Sequence, residues 1–284
     1  ILERQTSLFG QSMTQTLEPR LYYLYSQYEE QIFQPDFDTA ELTFSYGQLF
    51  RDTRFSGNDR LDDANQLSVG VTSRYFDNET GEEKLSASLG QIYYFRDREI
   101  RLNAFDPVLA ENTSPLAGEF SWSPNPQWQL RASVLYDTND NTFDAASAQV
   151  TYFPWSGAVL NAGYTLREPP PSLLERPVTE QANVSAYAPI TDHWSVFGAL
   201  EYSLEGSTAV EDMVGFEYDN CCWRLRVLYM RYVDTARGEI PNFNDPNLNR
   251  ENAIQVQFLL KGMGGFGGRV DNLLKDMIRG FSDR

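Results

Sequence analysis

Residues 84–95 have the sequence KLSASLGQIYYF, in which apolar and polar side chains alternate. The apolar set consists of Leu85, Ala87, Leu89, Tyr93 and Phe95. The positions between them hold mainly serine and glycine, with Tyr94 near the end. Because neighbouring side chains of a β-strand point to opposite faces, this period of two predicts a strand with one apolar and one polar face.

Segments of this kind recur along the chain, about twelve in all, and each is roughly 8–12 residues long, as tilted strands that cross a bilayer are. They cover 15–28, 65–76, 84–95, 116–123, 128–137, 145–153, 158–168, 180–188, 194–204, 210–219, 223–233 and 252–262. The connections between them are either short turns or longer polar loops, which is typical of outer-membrane barrels. The sequence therefore predicts an all-β fold in residues 1–262, a portion of a transmembrane antiparallel β-barrel.

A soluble β-sandwich or propeller would show the same alternation, with the apolar face packed into a core. Two features favour the membrane barrel. The apolar face repeatedly ends in Tyr, Trp or Phe, as interfacial girdles do, and the opposite face is rich in Ser, Gly, Asn, Gln, Arg and Glu, as a wet lumen would be. No repeat of blade length supports a propeller.

The carboxyl-terminal tail, residues 263–284, differs from the rest. Glycine is frequent in 262–268, and the following apolar residues have helical spacing. These residues are Val270, Leu273, Leu274, Met277, Ile278 and Phe281. The pattern fits a short amphipathic helix, and a poorly ordered terminal extension is the alternative.

The segment 40–62 mixes aromatic residues with charges of both signs. It contains Arg51, Asp52, Arg54, Asp59 and Arg60. An inward-folded, hydrogen-bonded plug and a loose extracellular loop both fit this composition.

Charge and the scarcity of reactive side chains exclude several functions. The formal net charge is -17 and the isoelectric point is about 4.4, which argues against nucleic acid as a partner. His193 is the single histidine, and a histidine in a turn beside a tryptophan is weak support for a catalytic base. We therefore expect no enzyme activity, no cofactor and no metal site.

Cys221 and Cys222 are adjacent and are the only cysteines. If they lie on a strand, their side chains point to opposite faces, so the two sulfurs should not meet. A disulfide between neighbours is strained. Each thiol is then either free or paired with a cysteine outside these 284 residues, and together with the abrupt start at Ile1 this suggests part of a longer protein.

Several motifs, in one order along the chain, resemble the barrel of the lipopolysaccharide-assembly LptD family. They are Gln15–Arg20, Leu49–Asp52, Phe55–Arg60, Gly70–Arg74, Gly90–Phe95, Gly215–Tyr218 ahead of the two cysteines, and Asn252–Gly262. The resemblance implies an outer-membrane barrel of about 26 strands in a Gram-negative bacterium, of which this chain supplies the carboxyl-terminal half. Such a half would not be stable alone, because its edge strands would be unpaired.

The resemblance also implies partners and a cargo. An LptE-like lipoprotein would plug the barrel, and a periplasmic Lpt bridge would deliver lipopolysaccharide through an amino-terminal domain outside this chain. The cargo would reach the outer leaflet through a lateral opening between the first and last barrel strands. A general diffusion porin is the alternative function.

Site residues follow from the same resemblance. Cys221 and Cys222 would form disulfides with upstream cysteines, in a turn that faces the periplasm. The last strand would line the lateral opening with Asn252, Ile254, Val256, Phe258 and Leu260. We further expect lumen arginines to offset the acidic charge and to meet the cargo, with Arg74, Arg131, Arg224 and Arg226 as the candidates.

Overall fold

The structure, a computed structural model, describes residues 1–8, 10–31, 33–57, 59–102, 108–168, 178–233 and 249–281. In these residues fourteen strands form one sheet, and the strands follow one another in chain order. Every strand pairing with a defined register is antiparallel. The strands are β1 (Leu2–Leu8), β2 (Gln11–Ser26), β3 (Ala64–Asp77), β4 (Glu83–Tyr94), β5 (Leu116–Asn125), β6 (Trp128–Asp137), β7 (Thr142–Tyr152), β8 (Val159–Arg167), β9 (Thr179–Pro189), β10 (Trp194–Ser203), β11 (Thr208–Asp219), β12 (Trp223–Val233), β13 (Arg250–Leu260) and β14 (Gly264–Phe266). A 3₁₀ helix spans Tyr46–Phe50, and the helix α1 spans Arg269–Met277.

The predicted all-β fold is confirmed, and two strands come in addition to the predicted twelve. The first is β1, where only Leu2 and Leu8 are apolar, so its alternation is too weak to detect. The second is β14, which has three residues and two glycines. Both are recognised by their backbone pairing with β2 and β13 and not by side-chain pattern.

Connections differ between the two ends of the sheet. In a chain-ordered antiparallel sheet, successive connections lie at alternate ends. Those after odd-numbered strands include 78–82, 126–127, 153–158, 190–193, 220–222 and 261–263. After even-numbered strands, the connections at 27–63 and 95–115 are much longer. The predicted arrangement of short turns and long loops is present at these positions, but the alternation is imperfect, because the connections at 138–141 and 204–207, after β6 and β10, are short as well.

The chain forms two compact units, which we describe separately. The first comprises mainly residues 1–123 and 131–146. In it, polar side chains of β3 such as Ser68 and Thr72 are buried, whereas apolar side chains of the neighbouring strands β2 and β4 on the opposite face of the sheet are exposed. Leu21 and Leu89, for example, are 71% and 47% exposed. The face that carries Ser68 and Thr72 is called the covered face of this unit.

The second unit comprises 124–130, 147–167 and the described residues from 178 onward. Its strands show the same pattern as those of the first unit, with buried polar side chains on one face and exposed apolar side chains on the other. Ser195, Glu217 and Gln257 are buried, while Val214 and Ile254 are 62% and 73% exposed. The face that carries the buried set is the covered face of this unit, and α1 packs on it.

In both units the apolar side chains face outward, the reverse of a water-soluble sandwich, in which they would form the core. The soluble alternative is therefore rejected, and the sheet is the wall of a partial β-barrel with a lipid-facing exterior. Among the described residues, no helix has the length and apolar character needed to span a membrane.

Candidate functional site

The two cysteines lie in the turn between β11 and β12, at the end with short connections. The side-chain oxygen of Asn220 accepts hydrogen bonds from the backbone N–H groups of Cys222 and Trp223, at 2.9 and 3.0 Å. Both thiols are exposed and free, and their Sγ atoms lie 2.8 Å apart. The expectation that the sulfurs point apart is wrong, because it assumed strand geometry and the pair lies in a turn.

The contact between the two thiols changes the acidity of Cys222. The hydrogen bond with Cys221, and the charge that Cys221 carries when ionised, raise the pKa of the Cys222 thiol. A smaller fraction of Cys222 is then thiolate at neutral pH, and the thiolate is the reactive form. Both sulfurs are nevertheless open to an incoming cysteine.

A row of aromatic rings crosses the last five strands at the same end of the sheet. Successive ring centroids are 4.9 Å apart for Trp194–Tyr218, 5.0 Å for Tyr218–Trp223, 5.8 Å for Trp223–Phe258 and 5.9 Å for Phe258–Phe266. Amphipathic rings concentrate where a membrane meets water, so this row indicates the membrane boundary next to the cysteine turn.

His193 belongs to this row. Its Nδ1 lies 2.9 Å from the backbone oxygen of Asp219, and its ring centroid lies 5.8 Å from that of Tyr218. The structure gives this histidine a place in the aromatic row.

The predicted gate strand is β13. Asn252, Ile254, Val256, Phe258 and Leu260 alternate on one face, and all of them except Phe258 are exposed. All eleven residues of β13 pair with β12. On its other edge, β14 pairs only with Phe258, Leu259 and Leu260, so in the described part of the chain residues 250–257 have no strand on that side.

The chain crosses the edge of β13 through glycine. At Gly267, φ is +85°, and a Cβ atom would lie 2.5 Å from the backbone oxygen of Val256 and 2.8 Å from the Cα of Gln257. No other residue fits this approach without moving the strand. Through this crossing the tail reaches the covered face, where α1 begins.

All four predicted lumen arginines lie on covered faces. Arg74 alternates with Thr72 and has ion pairs of 3.6 Å with Glu18 and 3.7 Å with Glu83. Arg131 alternates with Leu135, which packs into the covered face, and its side chain is exposed. That they contact a cargo stays a prediction.

Arg224 and Arg226 have a different environment, because they are 3% and 1% exposed. Arg224 pairs with Asp219 at 2.9 Å. Arg226 pairs with Glu217 and with Asp271 of α1, and its Nη1 donates to Gln257 at 3.0 Å. These guanidinium groups connect strands and helix, so their main contacts are internal.

The helix α1 closes an apolar cluster on the covered face of the second unit. Val270, Leu274 and Ile278 are at most 1% exposed. They pack against strand residues that interrupt the polar face, namely Val159, Tyr187, Phe197, Met213, Leu228 and Met230. The helical interpretation of the tail thus holds over Arg269–Met277, and the helix is docked.

The segment 40–62 folds onto the covered face of the first unit. Leu49 is fully buried against Ile92 and Ala117, and the Tyr46 hydroxyl is 3.0 Å from that of Thr72. Two glycines that pair across β3 and β4, Gly70 and Gly90, leave the room for it. Of the two interpretations left open by the sequence, the inward-folded one is present in the described residues.

This docking predicts that Gly90→Val displaces the segment. The new Cβ would lie 2.7 Å from Leu49 Cδ1 and 2.7 Å from the backbone oxygen of Val69, and overpacking of this kind costs about 1–3 kcal/mol. Limited proteolysis of the full-length protein should then show faster cleavage within 40–57. Gly47→Ala is the control, because its nearest neighbour would be 3.7 Å away. Unchanged cleavage in Gly90→Val would show that the segment does not need this hollow.

Comparison with known proteins adds the decisive observation. The model of a protein family described as "LptD: LPS transport system D" matches residues 1–194, more than half of the chain. The chain belongs to the LptD family. The resemblance inferred from the sequence motifs is therefore confirmed. As a member of this family, the chain is an outer-membrane protein of a Gram-negative bacterium.

Curated relatives extend the LptD match to nearly the whole chain. LPS-assembly protein LptD of Xylella fastidiosa is 37% identical over 280 residues, and that of Nitrosococcus oceani is 38% identical over 288 residues. Each alignment covers 99% of this chain, but only 34% and 36% of the relatives. The chain thus spans about a third of the length of the curated LptD proteins that it matches.

Solved structures add little to the LptD assignment. A structure of the FpvAI–pyocin S2 complex aligns with 90% of the chain at 9% identity, with a TM-score of 0.34. A likeness this distant supports no argument about site or function.

Sequence reasoning missed the residues that dock α1 and the segment 40–62. Apolar side chains at positions that should face a wet lumen, such as Phe197, Leu228 and Met230, were the available signal for a docked helix. The cross-strand pair Gly70 and Gly90 was the signal for the loop, since glycine within a strand often marks close approach of another segment.

Proposed function

We propose that this chain is the carboxyl-terminal part of an outer-membrane barrel that carries lipopolysaccharide to the outer leaflet. The inverted sheet carries the proposal, because its polar side chains line the covered face and its apolar side chains face outward. Membership of the LptD family supports it. A charged sugar headgroup crosses hydrocarbon only at high cost, so a polar wall suits the sugars while acyl chains stay in apolar surroundings.

In this proposal the lipid leaves through a lateral opening between β13, with its short companion β14, and the first strand of the complete barrel. Parting such a junction breaks ladder hydrogen bonds of about 0.5–1.5 kcal/mol net each. Within the described part of the chain, no strand pairs with 250–257 on the far side of β13, and this free edge supports this position for the opening. An LptE-like lipoprotein within the barrel and a periplasmic Lpt bridge to an amino-terminal domain complete the proposed assembly.

Depletion of the full-length protein tests the function. Cells that lose it should stop delivering newly made lipopolysaccharide to the surface, as measured by surface labelling, and re-expression should restore delivery. His193→Ala should restore it equally, because the proposal needs no catalytic base. Two results together would instead indicate a porin. Lipopolysaccharide delivery would survive depletion, and the purified barrel would let free sugars flow into liposomes.

Disulfide pairing gives a separate prediction. We expect Cys221 and Cys222 each to bond to an upstream cysteine of the full-length protein, since secreted barrels fold in an oxidising compartment. A non-reducing gel should show a faster or slower band that reductant abolishes. Cys221→Ser and Cys222→Ser should each remove part of this shift, and the double variant all of it. A double variant with the wild-type shift would contradict the pairing.

A further inference from the structure

The second unit contains a cavity of about 360 Å³ on its covered face, between the strands β7–β11 and the end of α1. This volume lies in the range of ligand sites. Its lining includes Gln149, Asn161, Asn183, Glu201, Asp276 and Arg279. Neither the turn with the two cysteines nor the edge of β13 uses these side chains.

The wall of the cavity is fixed by Asn161, which is 6% exposed. Its Oδ1 accepts a hydrogen bond from the Thr151 hydroxyl at 2.7 Å. Its Nδ2 donates to the Ser185 hydroxyl at 3.2 Å and to the backbone oxygen of Arg279 at 2.9 Å. This buried amide therefore connects three strands to the end of the helix, so the site is formed before any ligand arrives.

Gln149 and Asn183 present amide groups to the space. A Cβ atom at Gly163 would lie 2.6 Å from Gln149 Oε1 and 2.8 Å from Asn183 Oδ1, so the glycine leaves the volume that these amides occupy. Among the described residues, no hydrogen bond joins the side chain of Gln149, Asn183 or Glu201 to another group. Their donors and acceptors are available to a ligand.

The charge of the lining selects the ligand. Glu201, Glu211 and Asp276 contribute three carboxylates, and Arg279 contributes the only cation among the lining residues. Phosphate recognition relies on several Arg or Lys donors, and a surplus of carboxylates repels it. Amides and carboxylates instead suit hydroxyl groups, which both donate and accept hydrogen bonds. Met277 and Ala199 add apolar surface for the C–H face of a sugar ring.

We propose that this cavity binds an uncharged, hydroxyl-rich segment of saccharide and excludes phosphate-bearing groups. The inference rests on the proposed function, and it assigns the neutral sugars of the cargo to the region between β7–β11 and α1. The phosphorylated part of the lipid takes a route outside this cavity.

Binding to the purified full-length protein with its lipoprotein partner tests the inference. The probe is the fluorescently labelled, phosphate-free oligosaccharide released from the cell's own lipopolysaccharide. We expect saturable binding that the double variant Gln149→Ala/Asn183→Ala weakens by about tenfold, the loss of a few neutral hydrogen bonds. Gln127→Ala, at an exposed position in the turn between β5 and β6, is the matched control and should bind as wild type. Inorganic phosphate should not compete.

One further variant and one further measurement keep the outcome decisive. Asn183→Asp retains the shape of the side chain and adds charge, so it separates loss of the amide donor from misfolding. Heat-modified mobility on gels reports the folded barrel for every variant. Equal binding by the double variant and wild type, or competition by phosphate, overturns the inference.

Surface delivery of lipopolysaccharide in the same cells separates this result from the proposed function. Normal delivery with unchanged probe binding in the variants refutes the cavity alone. Failure of wild-type protein to support delivery refutes the function, and amide-dependent binding of the neutral probe would then still support the cavity.

Discussion

Arg226→Ala should release α1 from the sheet, at a cost of about 3–5 kcal/mol in the free energy that holds the helix docked. The substitution leaves Glu217, which is 4% exposed, and the partly buried Asp271 without their shared cation. Hydrogen exchange of the full-length protein should show faster exchange across 270–278. Arg231→Ala on the same strand is the control, because that side chain is 48% exposed and its ion pair with Asp212 is worth less than about 1 kcal/mol.

A triple variant tests whether α1 is released because Glu217 and Asp271 are left without their cation. Replacing a buried ion pair with apolar residues of similar size is often neutral, so Arg226→Met with Glu217→Leu and Asp271→Asn should restore slow exchange. If Arg226→Ala alone leaves exchange at 270–278 unchanged, the ion-pair network does not hold the helix.

Leu274→Asp should detach the helix more completely. Leu274 is fully buried within the cluster of Val159, Leu228 and Met230. Its removal alone costs about 2–5 kcal/mol, and an unpaired carboxylate in an apolar site adds to that. Protease should cut the tail of the full-length protein after this change, with the barrel strands still resistant. Asn272→Asp introduces the same residue at an exposed position of α1 and should leave the tail protected. A protected tail in Leu274→Asp would mean that α1 is held by contacts other than this cluster.

The strands and their outward faces follow from the sequence, because a period of two is a local property that needs no knowledge of partners. Residues 84–95 illustrate this, since Leu89 and Tyr93 are exposed as the alternation requires. The helical spacing after Val270 is local in the same way, and α1 is found there.

Features that depend on which distant segments meet could not be predicted in this way. Arg226 was expected to face an open lumen, but the register of β11, β12 and β13 places Glu217 and Gln257 beside it, and α1 adds Asp271 above. The separation of the two sulfurs was predicted wrongly for another reason: the strand was expected to begin at residue 223, as it does, but the opposite-face argument holds only on a strand and the cysteines precede it. The wall of the saccharide cavity combines the strand residue Asn161 with the backbone of Arg279, 118 positions apart along the chain.

The glycine crossing at Gly267 limits how firmly any neighbour can be joined to β13. The tail already occupies the edge of β13 beside Val256 and Gln257, and β14 pairs with the last three residues of β13. An adjoining strand can therefore pair with at most residues 250–257 of β13, whereas β12 pairs with all eleven residues of β13. We expect a junction of at most eight residues to be weaker than the pairings within β8–β13, each of which joins nine to eleven residues, so the glycine crossing limits the strength of the sheet at this edge.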